Sequence, residues 1–110
     1  MKLYLDTSTD TCILRLDNQE YQRVGKYDLA ERIFEFIHDK LVENQADWQD
    51  ISEITFFSGP GSFTGLRIGA AVVNALANQL NIPLYNHHGE QLPVIIPDYG
   101  RPANISAPKK

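Results

Sequence analysis

Three groups of residues in this chain are of types that do chemistry. The first is the stretch Ser58-Gly59-Pro60-Gly61-Ser62-Phe63-Thr64-Gly65-Leu66-Arg67-Ile68-Gly69. Two glycines around a proline must turn the chain, because glycine permits positive φ and proline fixes φ while removing a donor. Ser62 stands where it would cap a following helix, so backbone N–H groups of the loop would point at solvent or at an anion. Two readings stay open: a tight strand-to-helix turn with glycines for packing, and an anion cradle. It is neither a Walker A loop, since no Lys-Ser or Lys-Thr follows the last glycine, nor the G-x-G-x-x-G dinucleotide fingerprint. The second group is His87, His88 and Glu90, which could offer donors to a metal. Adjacent residues project in different directions and the spacing matches no standard zinc site, so a solvated turn is expected and no metal is assigned. The third is the hydroxyls: Ser62 has no identifiable base, and no Ser/His/Asp arrangement is legible.

The elements that must position these residues follow from periodicity. Leu3-Tyr4-Leu5 reads as a strand ending at Asp6, and Cys12-Ile13-Leu14-Arg15-Leu16 as a second after the polar bend Thr7-Ser8-Thr9-Asp10. Asp17-Asn18-Gln19-Glu20 reads as a turn, and Tyr21-Gln22-Arg23-Val24 as a weaker third strand. Asp28 with Glu31 has capping-box spacing and predicts a helix over 28–42. On it Leu29, Ala30, Ile33, Phe34, Phe36, Ile37 and Leu41 share a broad apolar arc. Asn44 is placed to end that helix in the left-handed region. Trp48 and Ile51 are expected to pin the connection to the core, and Ile54-Thr55-Phe56-Phe57 reads as a buried strand.

After the glycine stretch a helix over 63–80 is apolar almost all round. Leu66, Gly69, Ala70, Val73, Leu76, Ala77 and Leu80 form one arc, and Ile68, Ala71, Val72 and Ala75 a second. Only Arg67, Asn74 and Asn78 lie between them. Such a helix needs cover on most sides. Cover by the first helix and cover by another molecule both remain open. Residues 81–85 read as the next strand, and Pro93, Pro97, Pro102 and Pro108 break any later helix. The expected organisation is a lobe over 1–85 and a Pro-rich extension over 86–110, partly extended or flexible. Within the extension 92–96 is expected to dock as a short extended segment, and 101–110 to form a flexible or polyproline-like tail.

With 110 residues there is room for one small domain. A formal net charge of −4 argues against a broad phosphate-backbone binder. Cys12 is the single cysteine, so a buried thiol in a reducing compartment is expected. No signal peptide or membrane-length apolar run is read, which points to the cytoplasm and away from membranes.

As an unbroken string, residues 59–69 closely resemble the signature of the TsaB (YeaZ) family, the non-catalytic partner of TsaD in bacterial synthesis of the threonylcarbamoyl modification of tRNA adenosine. The resemblance runs from Met1 to about Tyr85 and is strongest at Leu5-Asp6-Thr7-Ser8-Thr9 and over 58–69. It implies an α/β fold: a single actin-like ATPase (ribonuclease H-like) lobe, a β-β-β-α-β-α-β mixed sheet with helices packed on it. Family members continue into a second lobe, so this sequence looks like a lobe-only member. Asp6 falls where that fold places the acid at the end of its first strand. Thr7-Ser8-Thr9-Asp10 lacks the glycine that admits phosphate, so Asp6, Thr7 and Ser8 are expected to form at most a vestigial nucleotide site. TsaD relatives hold a metal with two histidines at helical spacing on their first long helix. That helix carries only His38 here, so neither catalytic metal nor cofactor is expected.

The resemblance also implies a partner surface on the two long helices, here Ile33, Phe34, Ile37, Leu41, Ile68, Ala71, Val72 and Ala75. Gly59, Pro60, Gly61, Ser62, Phe63, Thr64, Gly65, Arg67 and Gly69 would shape that interface or its rim, Arg67 by meeting a partner carboxylate. The implied partners are a TsaD homologue in a heterodimer, a second copy when TsaD is missing, TsaE as a possible further component, and tRNA only indirectly. The expected function is a non-enzymatic scaffold for threonylcarbamoyl transfer to tRNA position 37. Two rivals stand beside it: a small phosphate- or nucleotide-binding domain using the 59–65 loop, and a homodimeric interaction module of unrelated role.

Overall fold

A computed structural model describes residues 1–25 and 27–98. The elements run β1 (Lys2–Asp6), β2 (Thr11–Leu16), β3 (Gln19–Val24), α1 (Leu29–Glu43), a 3-10 turn (Trp48–Asp50), β4 (Glu53–Phe56), α2 (Phe63–Leu80) and β5 (Leu84–Asn86). One sheet has the order β3-β2-β1-β4-β5. The first three strands form an antiparallel meander, and β4 joins β1 and β5 in parallel. That is the expected mixed sheet in the expected element order.

Alternation sets the core. Leu3, Leu5, Leu14, Leu16, Ile54, Phe56 and Leu84 are buried, and the residues between them are not. Both helices serve that single covered face: α2 packs on β4, β1 and β5, and α1 packs on α2. Ile33, Ile37 and Leu41 of α1 and Leu66 and Val73 of α2 fill the layer between. Cys12 lies in it too, and burial pushes its thiol up to about 11, which makes it a small apolar side chain rather than a nucleophile.

Local chemistry departs from expectation at three turns. The β2–β3 register pairs Leu16 with Gln19, so the turn is Asp17-Asn18 alone and Gln19 and Glu20 belong to the strand. Asp17 takes a left-handed φ of 54° and its carboxylate accepts the Lys2 N–H at 2.9 Å. Asp28 does precede α1, yet its side chain makes no cap bond. Arg23 has claimed it instead, at 3.2 and 2.9 Å, because a charge-assisted fork outcompetes a backbone amide. At the other end of α1 the left-handed residue is Gln45, with φ 54°, and not Asn44. The Asn44 amide is occupied elsewhere, donating to the Lys40 carbonyl and the Tyr21 hydroxyl.

The connection to β4 holds a capping box that the sequence reading missed, Asp47 and Asp50 closing the 3-10 turn on each other's backbone. Ile51 is buried and Trp48 is half-buried against the core, as expected. α2 ends on Asn81 in the left-handed region at φ 57°, so Asn81 caps the helix and β5 starts only at Leu84. Asn81→Val should therefore cost about 1–2 kcal/mol, while Asn81→Gly should leave stability nearly unchanged. Thermal melts of the two variants check this, and equal melting temperatures would refute the conformational account.

Residues 91–98 form a strap beyond β5. Gln91 bridges to Tyr85, the Leu92 N–H reaches the Leu84 carbonyl, and the Asp98 N–H reaches the Ser58 carbonyl. The expected docking of 92–96 is thus present, centred on Ile95, which is buried. The tail reading for 101–110 lies outside the described residues.

Candidate functional site: the glycine motif and the trough along α2

The two segments that sequence singled out as most distinctive meet in space. Thr7 and Ser8, at the end of β1, lie directly against the start of α2. A Cβ on Gly61 would come within 2.5 Å of the Ser8 Cβ, and one on Gly69 within 2.6 Å of the Phe56 ring. At Gly65 a Cβ would run into the Thr7 carbonyl oxygen, closer still. Close backbone approach therefore requires glycine at Gly61 and Gly65, and the Thr7 hydroxyl and the Phe56 ring require it at Gly69. Hydrogen bonds stitch the same junction. Ser62 N–H donates to the Ser8 carbonyl at 2.9 Å, and the buried Thr7 hydroxyl donates to the Gly65 carbonyl at 2.6 Å. The Ser62 hydroxyl accepts the Gly65 N–H at 3.2 Å, the cap read from sequence.

This junction leaves little of an anion cradle. The amides of Ser62 and Gly65 are spent inside the chain, and the space over Gly61, Gly65 and Gly69 is filled by protein. The Asp6 carboxylate accepts both the Ser8 N–H and the Ser8 hydroxyl, at 2.8 and 2.6 Å. Asp6, Thr7 and Ser8 are a clasp holding β1 to α2, which is what the packing reading of the glycines requires. Among the described residues no group of three or more His, Cys, Asp or Glu side chains is arranged to hold a metal ion.

The front of the motif has a different task. Gly59 has φ 116°, a conformation side chains resist, and a Cβ there would collide with the Asp98 carbonyl. It is a seat for the strap. Beside it the Ser58 N–H donates to His87 Nδ1 at 3.2 Å, with the Ser58 hydroxyl 3.3 Å from the same nitrogen. The His87 ring lies between Phe57, 4.4 Å away, and His88, 4.1 Å away. Burial foremost, and then His88, lowers the His87 pKa. Asn74 completes the arrangement: its side chain donates to the Ile95 carbonyl at 3.1 Å and accepts the Ile95 N–H at 2.8 Å. Ser58, Asn74 and His87 were missed as a group by the sequence reading. The one available signal was Asn74, a polar residue on an otherwise apolar helix.

The remaining feature is a trough between α1 and α2. One section encloses about 290 Å³ among Ala30, Phe34, Ile68, Ala71, Val72 and Ala75. Two further hollows adjoin it at Ile68: an open one on α2 beside Thr64, Arg67 and Ala71, and one of about 350 Å³ beside Thr9, Asp10, Tyr27 and Ser62. Phe34 is 44% exposed and packs edge-on against Trp48, which stacks on His38. Ala71 and Ala75 are exposed and Ile68 is half-buried. The expected partner surface shrinks accordingly. Ile33, Ile37 and Leu41 are fully buried in the lobe's own core and are withdrawn from it. Val72, at 5% exposure, is floor rather than rim. The α1 helix covers part of the second α2 arc and leaves Ile68, Ala71 and Ala75 open beside its own Phe34.

A mixed sheet carrying both helices on one face, with a glycine junction at the start of α2, defines an actin-like (ribonuclease H-like) lobe. Comparison with known proteins gives the family. The family described as "TsaD: tRNA N6-adenosine threonylcarbamoyltransferase" matches residues 23–94. The chain belongs to this family, and among its members it resembles TsaB (YeaZ) proteins. It is 37% identical over 87 residues to the tRNA threonylcarbamoyladenosine biosynthesis protein TsaB of Bacillus subtilis (strain 168), covering 74% of this chain and 38% of the relative. It is 30% identical over 86 residues to TsaB of Escherichia coli (strain K12), with 74% and 37% covered. The solved structure of YeaZ from Pseudomonas aeruginosa superposes with a TM-score of 0.69 at 34% identity, covering 77% of this chain and 42% of that one. The chain thus spans about two fifths of the length of these relatives. No helix among the described residues is long and apolar enough to cross a membrane.

Proposed function

We propose that this lobe is a non-catalytic scaffold that pairs, through the trough between α1 and α2, with a TsaD homologue in the cytoplasmic synthesis of tRNA threonylcarbamoyladenosine. One observation carries the reading. Phe34, Ile68, Ala71 and Ala75 form an open apolar strip along the groove between the two helices. Small residues at 71 and 75 let another helix come close, and Phe34 and Ile68 flank its path. The family relationship supports TsaD as the owner of that helix. Chemistry and tRNA contact then fall to the partner, in keeping with a net charge of −4. Without the partner, two copies pair through the same strip about a two-fold axis. TsaE is assigned to the heterodimer and not to this lobe alone.

The phosphate-binding rival loses ground because the Ser62 and Gly65 amides already have acceptors within the chain. Light scattering with in-line size exclusion, on the chain alone and mixed with the TsaD homologue of the same genome, tests the proposal. A self-associated species that exchanges into a one-to-one heterocomplex at micromolar concentration is expected. A chain that ignores the TsaD homologue at that concentration would sink the proposal.

A further inference from the structure

We propose that the open strip selects its occupant by charge as well as by shape: the occupant is a partner helix with an apolar, small-residue face, Lys or Arg side chains along the flank turned to α1, and an acidic side chain opposite Arg67. This deepens the scaffold reading and rests on it. The strip is bordered by charges of opposite sign. With about 100° between successive residues of a helix, Glu31 stands about 60° round α1 from Phe34 and Glu35 about 100°, both on the side away from the buried Ile33 and Ile37. On α2, Arg67 stands about 40° round from Ala71, on the side turned away from Val72 and α1. All three charged side chains belong to exposed residues. Between these rims lie Ala30 and Phe34 on one helix and Ile68, Ala71 and Ala75 on the other.

The folded lobe gains little from these charges. Among the described residues neither the Glu31 nor the Arg67 side chain has an ion-pair or hydrogen-bond partner. Glu35 meets Arg32 at 3.3 Å, an exposed pair of small value. Glu31 and Glu35 are four residues apart on one helix, the spacing at which like charges oppose each other. The helix dipole favours an acid at Glu31, in the first turn of α1, but gives no support to Glu35 or to a cation one turn into α2. The imbalance is regional. Residues 29–50 carry six acidic and two basic side chains, a net of −4 that equals the formal charge of the whole chain, whereas α2 carries Arg67 and no acid.

A helix packed on Ala71 and Ala75 comes to within about 8–10 Å axis to axis, so its flanks lie over both rims. That takes water from Glu31 and Arg67, and an unpaired charge that loses its water opposes binding. A basic side chain over the α1 rim and an acid over Arg67 turn the same desolvation into attraction, while a helix with acids over α1 meets like charge and is excluded. Reversing the helix would exchange its flanks. The rims therefore set the direction in which the partner helix lies as well as its charge.

The test is the association rate of the chain with the TsaD homologue of the same genome at about 50 and 500 mM NaCl, where screening is weak and then strong. The double variant Glu31→Gln, Glu35→Gln should associate about fivefold more slowly at the lower salt and match the parent at the higher, because rim charges act mainly on the on-rate. The control is Asp39→Asn, Glu43→Gln, which changes the net charge equally but lies about 140–180° round α1 from Phe34. Its rate should stay within about twofold of the parent. Arg67→Gln should also slow association, although it makes the chain more negative; a partner that is merely basic would bind that variant faster. Equal rates for the parent and the Glu31, Glu35 variant, an equal change in the control, or faster association of Arg67→Gln overturns the proposal and leaves the scaffold reading standing. A parent chain that does not associate with the TsaD homologue removes both. Self-association that is lost in Glu31→Lys and in Arg67→Glu but regained on mixing those two chains would give the rims to a second copy, and overturns the proposal as well.

Discussion

Replacing Gly65 by alanine is expected to cost about 3 kcal/mol or more, because the new methyl must displace backbone rather than a side chain. Its obstacle is the Thr7 carbonyl, held in place by β1 and by the Thr7 hydroxyl bond to the Gly65 carbonyl. Neither the strand nor the first turn of α2 can retreat without breaking that bond and the Ser62 cap together. A small domain has on the order of 5–15 kcal/mol of net stability, so this single methyl removes a large share of it. The melting temperature should fall by roughly 10–20 °C. Gly89→Ala is the informative control: φ there is 85°, but a Cβ meets nothing within 4 Å. Backbone strain alone acts at that site and should cost about 1–2 kcal/mol. A Gly65→Ala protein melting within a few degrees of the parent would show that the motif glycines are not packing glycines, and the anion-cradle reading would return.

The second large effect concerns association. Ala71→Glu and Ala75→Glu place a carboxylate on the open strip, where it is solvated in the free lobe. Each should change folding stability by no more than about 0.5 kcal/mol, as surface substitutions do. In the complex the same carboxylate is buried against an apolar helix without a partner, which should weaken binding of the TsaD homologue by at least about 100-fold. Ile33→Glu supplies the contrast, since Ile33 is fully buried and its replacement should unfold the lobe before binding can be asked about. Titration calorimetry beside thermal melts separates the two outcomes. Intact binding by a well-folded Ala71→Glu, Ala75→Glu double variant would move the interface off this face.

Much of the architecture was legible because it is written in short-range patterns. The α2 limits at Phe63 and Leu80 follow from a serine cap, an uninterrupted 3.6-residue apolar period and the absence of proline until Pro83. The meander follows from alternation between polar turns. Legibility failed where two options competed for one side chain and a residue of a neighbouring element or turn decided. Asp28 had the right place for a capping box, but Arg23 came back along β3 and took the carboxylate. Asn44 had the right chemistry to end α1, but Tyr21 and Lys40 had already engaged its amide, and Gln45 took the left-handed turn. The candidate site divides the same way. The motif was visible as a string, whereas its pairing with Thr7 and Ser8 was not, because nothing in the string says which backbone will lie on a glycine.

What the sequence by itself determined is the set of elements, their order, the glycine motif and a second helix that is apolar almost all round. These depend on residue type and on spacings of two to four residues, and such terms survive any tertiary arrangement. The tertiary structure alone decided three things: which part of that apolar surface α1 covers, that the space over Gly61, Gly65 and Gly69 is filled by Thr7, Ser8 and Phe56, and that Ser58 is shared by His87 and the strap. Each is a contact between residues far apart in the chain, and which contact forms is settled by the packing of the whole lobe, since a side chain excluded from one place must be buried, bonded or exposed in another.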